Sequence, residues 1–387
     1  MTPRAAIILQ ISSLGAIAAS AGAPTPLYRI YAEHWGLSPV MVTTVFSAYA
    51  ISLLMALLTV GGLSDYIGRR PMVFASLAIC ALSMAVFALA DSVPALLVAR
   101  FIQGFGVGMA FGSIGAAILD THRAHGSLMN SVTPVTSTGL GALTSGVLVT
   151  YAPMPTQLTY LILMAIMLVQ AALVWWMPET AVRRPGAWAS MRPTIVVPVQ
   201  ARSALVLVSP GNIALWALCG FYMSLMPSLM RSVSGSPSLL LGGVAIAVLT
   251  FSGAVAMLAA RPWPGTTILI RSMSSLILGV AITLGGVYSQ SIGLLIGGTV
   301  IAGFGFGAGF FGSMRTVVPL ALPHERAGLF SVIFVICYLA FSLPTIAAGL
   351  AVPALGMALT LYLYGATVIV LAAISLIGVL SEVRRAP

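Results

Sequence analysis

Arg100 and Gln103 stand three residues apart in an otherwise apolar stretch, Leu96 to Gly108, and one helical turn would set them on one face. An arginine near the centre of a membrane helix costs about 2.5–3.5 kcal/mol, so it ordinarily faces a cavity or a partner. The bland alternative is outward snorkelling from the helix start. A second charged set lies in Gly61-Gly62-Leu63-Ser64-Asp65-Tyr66-Ile67-Gly68-Arg69-Arg70, where Gly61 and Gly68 permit close approach and a sharp turn. Covalent and metal chemistry find no footing. His324-Glu325 opens a zinc-protease pattern, but Gly328 stands where the second histidine belongs. There is no G-x-S-x-G elbow and no His–Cys cluster, and Cys80, Cys219 and Cys337 read as small buried hydrophobes. The chemistry on offer is charge and hydrogen bonding without a catalytic residue, metal or cofactor, and an enzyme is not expected.

The elements that must position these residues follow from composition. Of 387 residues 59 % are hydrophobic and 6 % charged, with a mean hydropathy of +1.08. A soluble domain carries roughly a quarter of its residues charged, so no soluble surface of this size can be covered. At about 20 apolar residues per ~30 Å of hydrocarbon, the length allows on the order of twelve spans. The net charge of +10 does not indicate nucleic acid: all 17 basic residues are arginines, scattered singly or in pairs between apolar runs. Without lysine there is no G-x-x-x-x-G-K-[ST] loop, which excludes ATP hydrolysis of that type.

Pro, Gly and Arg bound apolar runs near 5–23, 39–60, 71–90, 94–119, 127–150, 156–177, 211–230, 238–260, 265–287, 292–313, 327–350 and 354–380. Ala19-Ser20-Ala21 imitates a signal-cleavage site, but the run is long enough to span and is read as a retained first helix. Thirteen arginines fall on one side, Arg123 and Arg385 among them, against Arg29 and Arg231 on the other. Arg100 and Arg271 lie within spans, Arg271 near a cytoplasmic end where snorkelling suffices. The division puts both termini and the central loop in the cytoplasm. The organisation expected is a bundle at 1–177, a cytoplasmic linker at 178–210 and a second bundle at 211–387. The halves are related: Ile102-Gln103-Gly104-Phe105-Gly106-Val107-Gly108 matches Ile301-Ala302-Gly303-Phe304-Gly305-Phe306-Gly307, and Arg123-Ala124-His125-Gly126 lies beside Arg326-Ala327-Gly328. Their glycines permit close helix crossing. Parallel halves of this kind place a substrate site between them, near the midplane.

The Gly61–Arg70 loop resembles the G-x-L-a-D-r-x-G-r-R signature of the major facilitator superfamily, in the loop between spans two and three. Leu96-x-x-x-Arg100-x-x-Gln103-Gly104-x-Gly106 is similar to that superfamily's second motif. The resemblance covers the whole chain and implies an all-α integral membrane protein, twelve transmembrane helices in two pseudo-symmetric six-helix bundles. It also implies a gate in which Asp65 faces the positive N-terminus of a helix from the other half, such as that opening near Arg326. Arg69 and Arg70 would reach Asp120, with Gly61 and Gly68 shaping the turn. The alternative is that the two arginines only set topology. Candidate substrate or proton-coupling residues on path-lining spans are Gln10, Tyr49, Arg100, Gln103, Asn130, Asn212, Trp216, Tyr222 and Tyr338. Each serves equally well as packing, helix–helix glue or an interface anchor.

What the resemblance implies about function is alternating-access secondary transport. The leading expectation is efflux of small amphipathic molecules driven by the proton gradient, as in the bacterial drug and small-molecule antiporter branch. The alternative is a permease or facilitator for a sugar-like or small organic acid solute, without proton coupling. Departures leave both open. Span five has Gly139, Gly141 and Gly146 but not the Gly-Pro pair of drug antiporters, and Pro178-Glu179-Thr180 is similar to sugar porters without a match after span twelve. No carboxylate is placed at mid-span, so proton coupling would use Glu33, His34, Asp91 or, indirectly, Arg100. Expected partners are a small-molecule substrate, protons and membrane lipids but no nucleic acid, for a monomer in the cell inner membrane.

Overall fold

The computed structural model describes residues 1–122 and 125–385. Arg123 and Ala124, counted above in the cytoplasmic set and the loop repeat, lie outside the described residues. Among the described residues the secondary structure is helical, with no strand. The helices are α1 (Pro3–Gly22), α2 (Tyr28–Trp35), α3 (Pro39–Thr59), α4 (Ser64–Ile67), α5 (Arg69–Leu89), α6 (Val93–Thr121), α7 (Gly126–Tyr151) and α8 (Leu158–Val174). After these come α9 (Ala187–Ser190), α10 (Arg202–Ser224), α11 (Met226–Ser234), α12 (Leu240–Ala259), α13 (Gly265–Tyr288), α14 (Ile292–Val317) and α15 (Arg326–Arg385).

Among the described residues ten helices are long and apolar enough to cross a membrane. One of them, α15, has 60 residues. At 1.5 Å per residue it would run about 90 Å, three times the hydrocarbon thickness. Gly356, at φ 77° and ψ 163°, breaks it into two spans in a conformation that a side chain would strain. With the shorter apolar helix α8, twelve segments are available, as the hydropathy pattern predicts.

The chain divides into two compact units. One comprises Met1–Leu37 and Val45–Thr194, the other Ser38–Thr44 and the chain from Ile195 onward. In the first unit α1 packs on α6, α7 and α8, while α5 packs on α6 and α8. In the second α10 packs on α14 and α15, while α13 packs on α14 and α15. The same pairs recur in chain order, down to the short helices α2 and α11 that follow the first span of each half.

The glycine runs explain why α6 and α14 sit so close to their neighbours. A Cβ at Gly106 would lie 2.7 Å from Cys80 Sγ, and one at Gly108 2.6 Å from the Leu53 carbonyl oxygen. In the second unit a Cβ at Gly305 would lie 2.7 Å from both the Leu276 nitrogen and the Ser272 carbonyl oxygen. Association between apolar helices in lipid relies on such close backbone approach.

One expected boundary is corrected. The linker expected over 178–210 ends earlier, because helix α10 begins at Arg202 and carries Pro210 in its interior. Proline removes one backbone donor, but Leu205 and Val208 are buried in a cluster with Ile333 and Cys337 that holds the turn together. Burial here outweighs the missing hydrogen bond.

Candidate functional site

The loop between α3 and α5 forms the most densely bonded polar site of the first unit. Gly68, at φ 106° and ψ 155°, makes the turn that ends α4 and starts α5. Immediately after it, Arg69 extends its guanidinium to Asp65 Oδ1 at 2.5 Å and to Asp120 Oδ2, at the end of α6, at 3.0 Å. It also donates to Ser64 Oγ at 2.7 Å. Thr180 donates to the same Asp120 oxygen at 2.9 Å. Asp65 keeps 44 % of its side chain exposed, so its pair with Arg69 is screened and worth about 1 kcal/mol or less. Gly61 completes the set by packing on α6, where a Cβ at Gly112 would overlap the Gly61 carbonyl.

Arg70 does not share Asp120. Adjacent helical residues point about 100° apart, so only one of the two arginines can face α6. Arg70 Nε has no hydrogen-bond partner, while its backbone N–H donates to Glu179 Oε2 at 3.0 Å. The Arg69 N–H donates to Glu179 Oε1 at 2.7 Å. Glu179 is therefore the acceptor for the first amides of α5, where a carboxylate meets the positive end of the helix dipole. Gly68 is doubly required, because a Cβ there would lie 2.8 Å from Glu179 Oε2. Sequence reasoning missed this residue as part of the loop site. Its signal was the Pro178-Glu179-Thr180 stretch just past span six, but 110 residues separate it from its partner.

Arg100 lies on α6 with no exposed surface. Its Nε donates to Tyr28 Oη at 2.7 Å, and Nη1 donates to Gln103 Oε1 at 2.7 Å and to the Ala21 carbonyl at 3.3 Å. Gln103 Nε2 in turn donates to the Ser20 carbonyl at 2.8 Å. Ser20 and Ala21 are in the last turn of α1, whose unsatisfied carbonyls form the negative end of its dipole. The guanidinium thus sits against a helix C-terminus, and these three hydrogen-bond partners are neutral. The rings of Tyr28, Tyr49 and Phe87 surround its Cζ at 5.3, 5.5 and 5.6 Å, supplying cation–π attraction. Its Nη2 has no hydrogen-bond partner. Tyr49, Arg100 and Gln103 are therefore brought together, joined by Tyr28, Ser20 and Phe87, which the sequence did not single out.

The other candidates are dispersed. Gln10 on α1 donates to Thr121 Oγ1 at 3.0 Å and to Met177 Sδ at 3.3 Å, leaving its Oε1 unmet. Asn130 on α7 donates to the Gly115 carbonyl at 2.8 Å, with Oδ1 unmet. In the second unit Tyr222 and Thr299 share a buried hydroxyl–hydroxyl hydrogen bond of 2.7 Å. Trp216 and Tyr338 fall together, with the Trp216 ring 5.0 Å from Tyr338, 5.5 Å from Phe310 and 5.7 Å from Phe341, and Asn212 lies four residues before Trp216 on α10. Arg271 is exposed and stacks over Trp263 at 4.2 Å, the surface placement its position near a helix end implied. All seven carboxylates stand at helix ends or in loops. Among the described residues no group of three or more His, Cys, Asp or Glu side chains could hold a metal.

Similarity to known proteins agrees with this architecture. An uncharacterized transporter of Rickettsia bellii (strain RML369-C) is 40 % identical over 72 residues, 19 % of this chain and 17 % of that protein. Multidrug resistance protein MdtL of Shewanella sp. (strain ANA-3) is 34 % identical over 120 residues, 29 % of this chain and 30 % of that protein. The chain thus spans less than a third of the length of these curated relatives. Solved structures are similar over nearly the full length. The nucleoside transporter NupG has a TM-score of 0.76 at 13 % identity, over 96 % of this chain and 98 % of that one. A bacterial homolog of the human lysosomal transporter Spinster has a TM-score of 0.75 at 13 % identity, over 99 % and 98 %. The sequence pattern of the Major Facilitator Superfamily matches residues 11–344, most of the chain, and the protein belongs to that superfamily of membrane transporters.

Proposed function

We propose that this chain is a secondary active transporter that works by alternating access and exports small amphipathic molecules at the expense of the proton gradient. It acts as a monomer in the cell inner membrane with both termini cytoplasmic. The observation that carries the reading is the Arg69 cluster. A nearly buried guanidinium binds Asp65, Asp120 and Ser64 at once, and Glu179 ties the same turn to the segment after α8. A preformed charged loop of this kind is a latch, and its half-exposed carboxylate, Asp65, is available to a positive helix end during the cycle. The similarity to MdtL supports drug-like export over part of the chain.

A second reading, a permease or facilitator for a sugar-like or small organic acid solute without proton coupling, has its own support. No carboxylate lies at mid-span to carry a proton, and Arg100 is held by neutral groups. One experiment separates the readings. Purified protein in proteoliposomes is offered a panel of drugs, sugars and organic acids, with and without an imposed pH gradient. Export of amphipathic solutes that follows the gradient supports the first. Gradient-independent flux of a sugar or acid establishes the second, and no flux of any solute overturns both.

A further inference from the structure

In the first unit Arg69 is matched by Asp65 and Asp120. The corresponding loop of the second unit, between α12 and α13, gathers arginines and no acid. Ala260 to Trp263 form a tight turn, closed by the Trp263 N–H donating to the Ala260 carbonyl at 3.0 Å, and Arg261 is in that turn. Arg315, in the last turn of α14, donates through Nη1 to the Arg261 carbonyl at 2.7 Å. Arg271, nearly two turns into α13, reaches back and sets its guanidinium 4.2 Å from the centre of the Trp263 ring. The start of α13 also packs on α14, since a Cβ at Gly265 would lie 2.8 Å from Thr316 Oγ1. The ends of a tight turn are less than about 7 Å apart, so three cationic side chains from distant parts of the chain are tied to one small patch.

All three arginines are exposed, and the ion pairs of the described residues include none of them. The second unit has two carboxylates. Glu325 is engaged by Gln200 Nε2 at 2.7 Å and by the Leu322 N–H at 3.0 Å, and Glu382 stands exposed near the end of α15. Like charges gathered without a counter-charge repel, so the patch is completed by an anion from outside the chain. Its surroundings identify the source. The turn joins two membrane spans, Leu240–Ala259 and Gly265–Tyr288. On the helix leading into it Val255 and Leu258 are 63 % and 45 % exposed, as side chains facing hydrocarbon are. A tryptophan at such a boundary lies at headgroup level, and an arginine just inside a span snorkels to the same level. Basic pockets between membrane helices take lipid headgroups. A free phosphate would use the charges and leave the aliphatic border uncovered.

We propose that Arg261, Arg271, Arg315 and Trp263 form a binding site for the phosphodiester of an anionic phospholipid, whose acyl chains run along α12. The arginines hold the phosphate oxygens, and Trp263 holds Arg271 in place. The site needs the membrane-spanning fold alone and stands whichever solute is carried.

Native mass spectrometry of the full chain in detergent resolves each bound lipid and gives the Kd of the first. The probes are phosphatidylglycerol and phosphatidylcholine with identical acyl chains. One arginine near an anionic lipid surface is worth about fivefold in binding, so wild type should prefer phosphatidylglycerol by about tenfold or more. Arg261→Gln, Arg271→Gln and Arg315→Gln should each weaken phosphatidylglycerol about fivefold. Phosphatidylcholine binding should not change, which also reports that the variants are folded. Trp263→Leu should weaken phosphatidylglycerol by a similar factor, and adding it to Arg271→Gln should cost nothing more, because it acts through Arg271. Arg384→Gln removes the same charge outside the patch and should alter neither lipid. Equal binding of the two lipids by wild type overturns the site. A loss in Arg384→Gln as large as in the patch variants also overturns it, as general surface charge. Displacement of phosphatidylglycerol by an equal concentration of inorganic phosphate overturns the lipid assignment in favour of a free anion.

Discussion

Replacing Arg100 by Gln or by Lys separates what its charge does from what its shape does, because the two substitutions should order oppositely in stability and in transport. Arg100 makes two hydrogen bonds of 2.7 Å, to Tyr28 and Gln103, and a weaker one of 3.3 Å to the Ala21 carbonyl. Hydrogen bonds to a charged group contribute about 1.5–3 kcal/mol each, so losing the two short ones costs roughly 3–6 kcal/mol. Gln loses both but also removes a charge whose placement in the membrane costs about 2.5–3.5 kcal/mol. The net for Arg100→Gln is then roughly 0–3 kcal/mol. Lys keeps the desolvation cost and, with one compact ammonium in place of a fork, reaches only one of the two short-bond partners. Arg100→Lys should lose about 1.5–3 kcal/mol with nothing returned, and so be no more stable than Gln. Transport should run the other way: Lys retains part of the wild-type flux, and Gln abolishes it along with any pH dependence. The assays are detergent-titrated unfolding in mixed micelles and flux in proteoliposomes with and without a pH gradient. Full, pH-responsive flux by the Gln variant refutes a functional charge. A Lys variant as stable as wild type refutes the account of the fork.

Asp65→Asn should leave the fold intact, lower transport and raise the labelling of inward-facing positions, because it removes the exposed carboxylate of the latch; unchanged flux and labelling would sink that role. Glu179→Ala strips the acceptor from the first two amides of α5 and should destabilise the first unit by about 1–2 kcal/mol in mixed-micelle unfolding. Gly305→Val puts its Cβ within 2.7 Å of backbone on α13 and should abolish folded yield, whereas Gly285→Ala, with nothing within 4 Å, should be tolerated or slightly stabilising. Single-cysteine labelling should find Arg69, Arg70 and 183–202 cytoplasmic and 29–36 and 231–237 external; a central loop that labels from outside would reverse the topology.

The features legible in sequence were those carried by local pattern. Apolar runs bounded by Pro, Gly and Arg located the spans, because lipid makes hydrophobic length a direct structural requirement. The glycines of α6 and α14 announced close helix crossings by their spacing, and charge depletion made Arg100 conspicuous. Illegible were the pairings made across long sequence separations. Glu179 reaches α5 over 110 residues, and Tyr28 reaches Arg100 over 72. No periodicity encodes such contacts. The start of α10 was misplaced for a different reason, since Pro210 is a local helix-breaking signal that tertiary burial of Leu205 and Val208 overrides. Of the adjacent arginines, Arg69 alone meets Asp120, a choice made by helical phase and thus fixed only once α5 is known to begin at Arg69.

The internal repeat turns Arg100 from a curiosity into an argument. Its counterpart in the second half is Thr299, equally buried, which bonds Tyr222 at 2.7 Å and its own helix at the Leu295 carbonyl at 2.8 Å. A hydroxyl therefore satisfies this place in the helix bundle without a charge. The first unit instead buries a guanidinium, and it recruits the end of α1, a tyrosine and a glutamine to hold it. Partners that match its donors offset the desolvation but give no reason for preferring a cation over threonine. Packing supplies no reason either, because the equivalent glycines beside it, Gly104 and Gly303, approach backbone carbonyls in the same way in both units. For a charge the architecture does not require and the membrane disfavours, with its Nη2 unmet, we propose a role toward the transported solute, which the flux of the Arg100→Gln and Arg100→Lys variants tests.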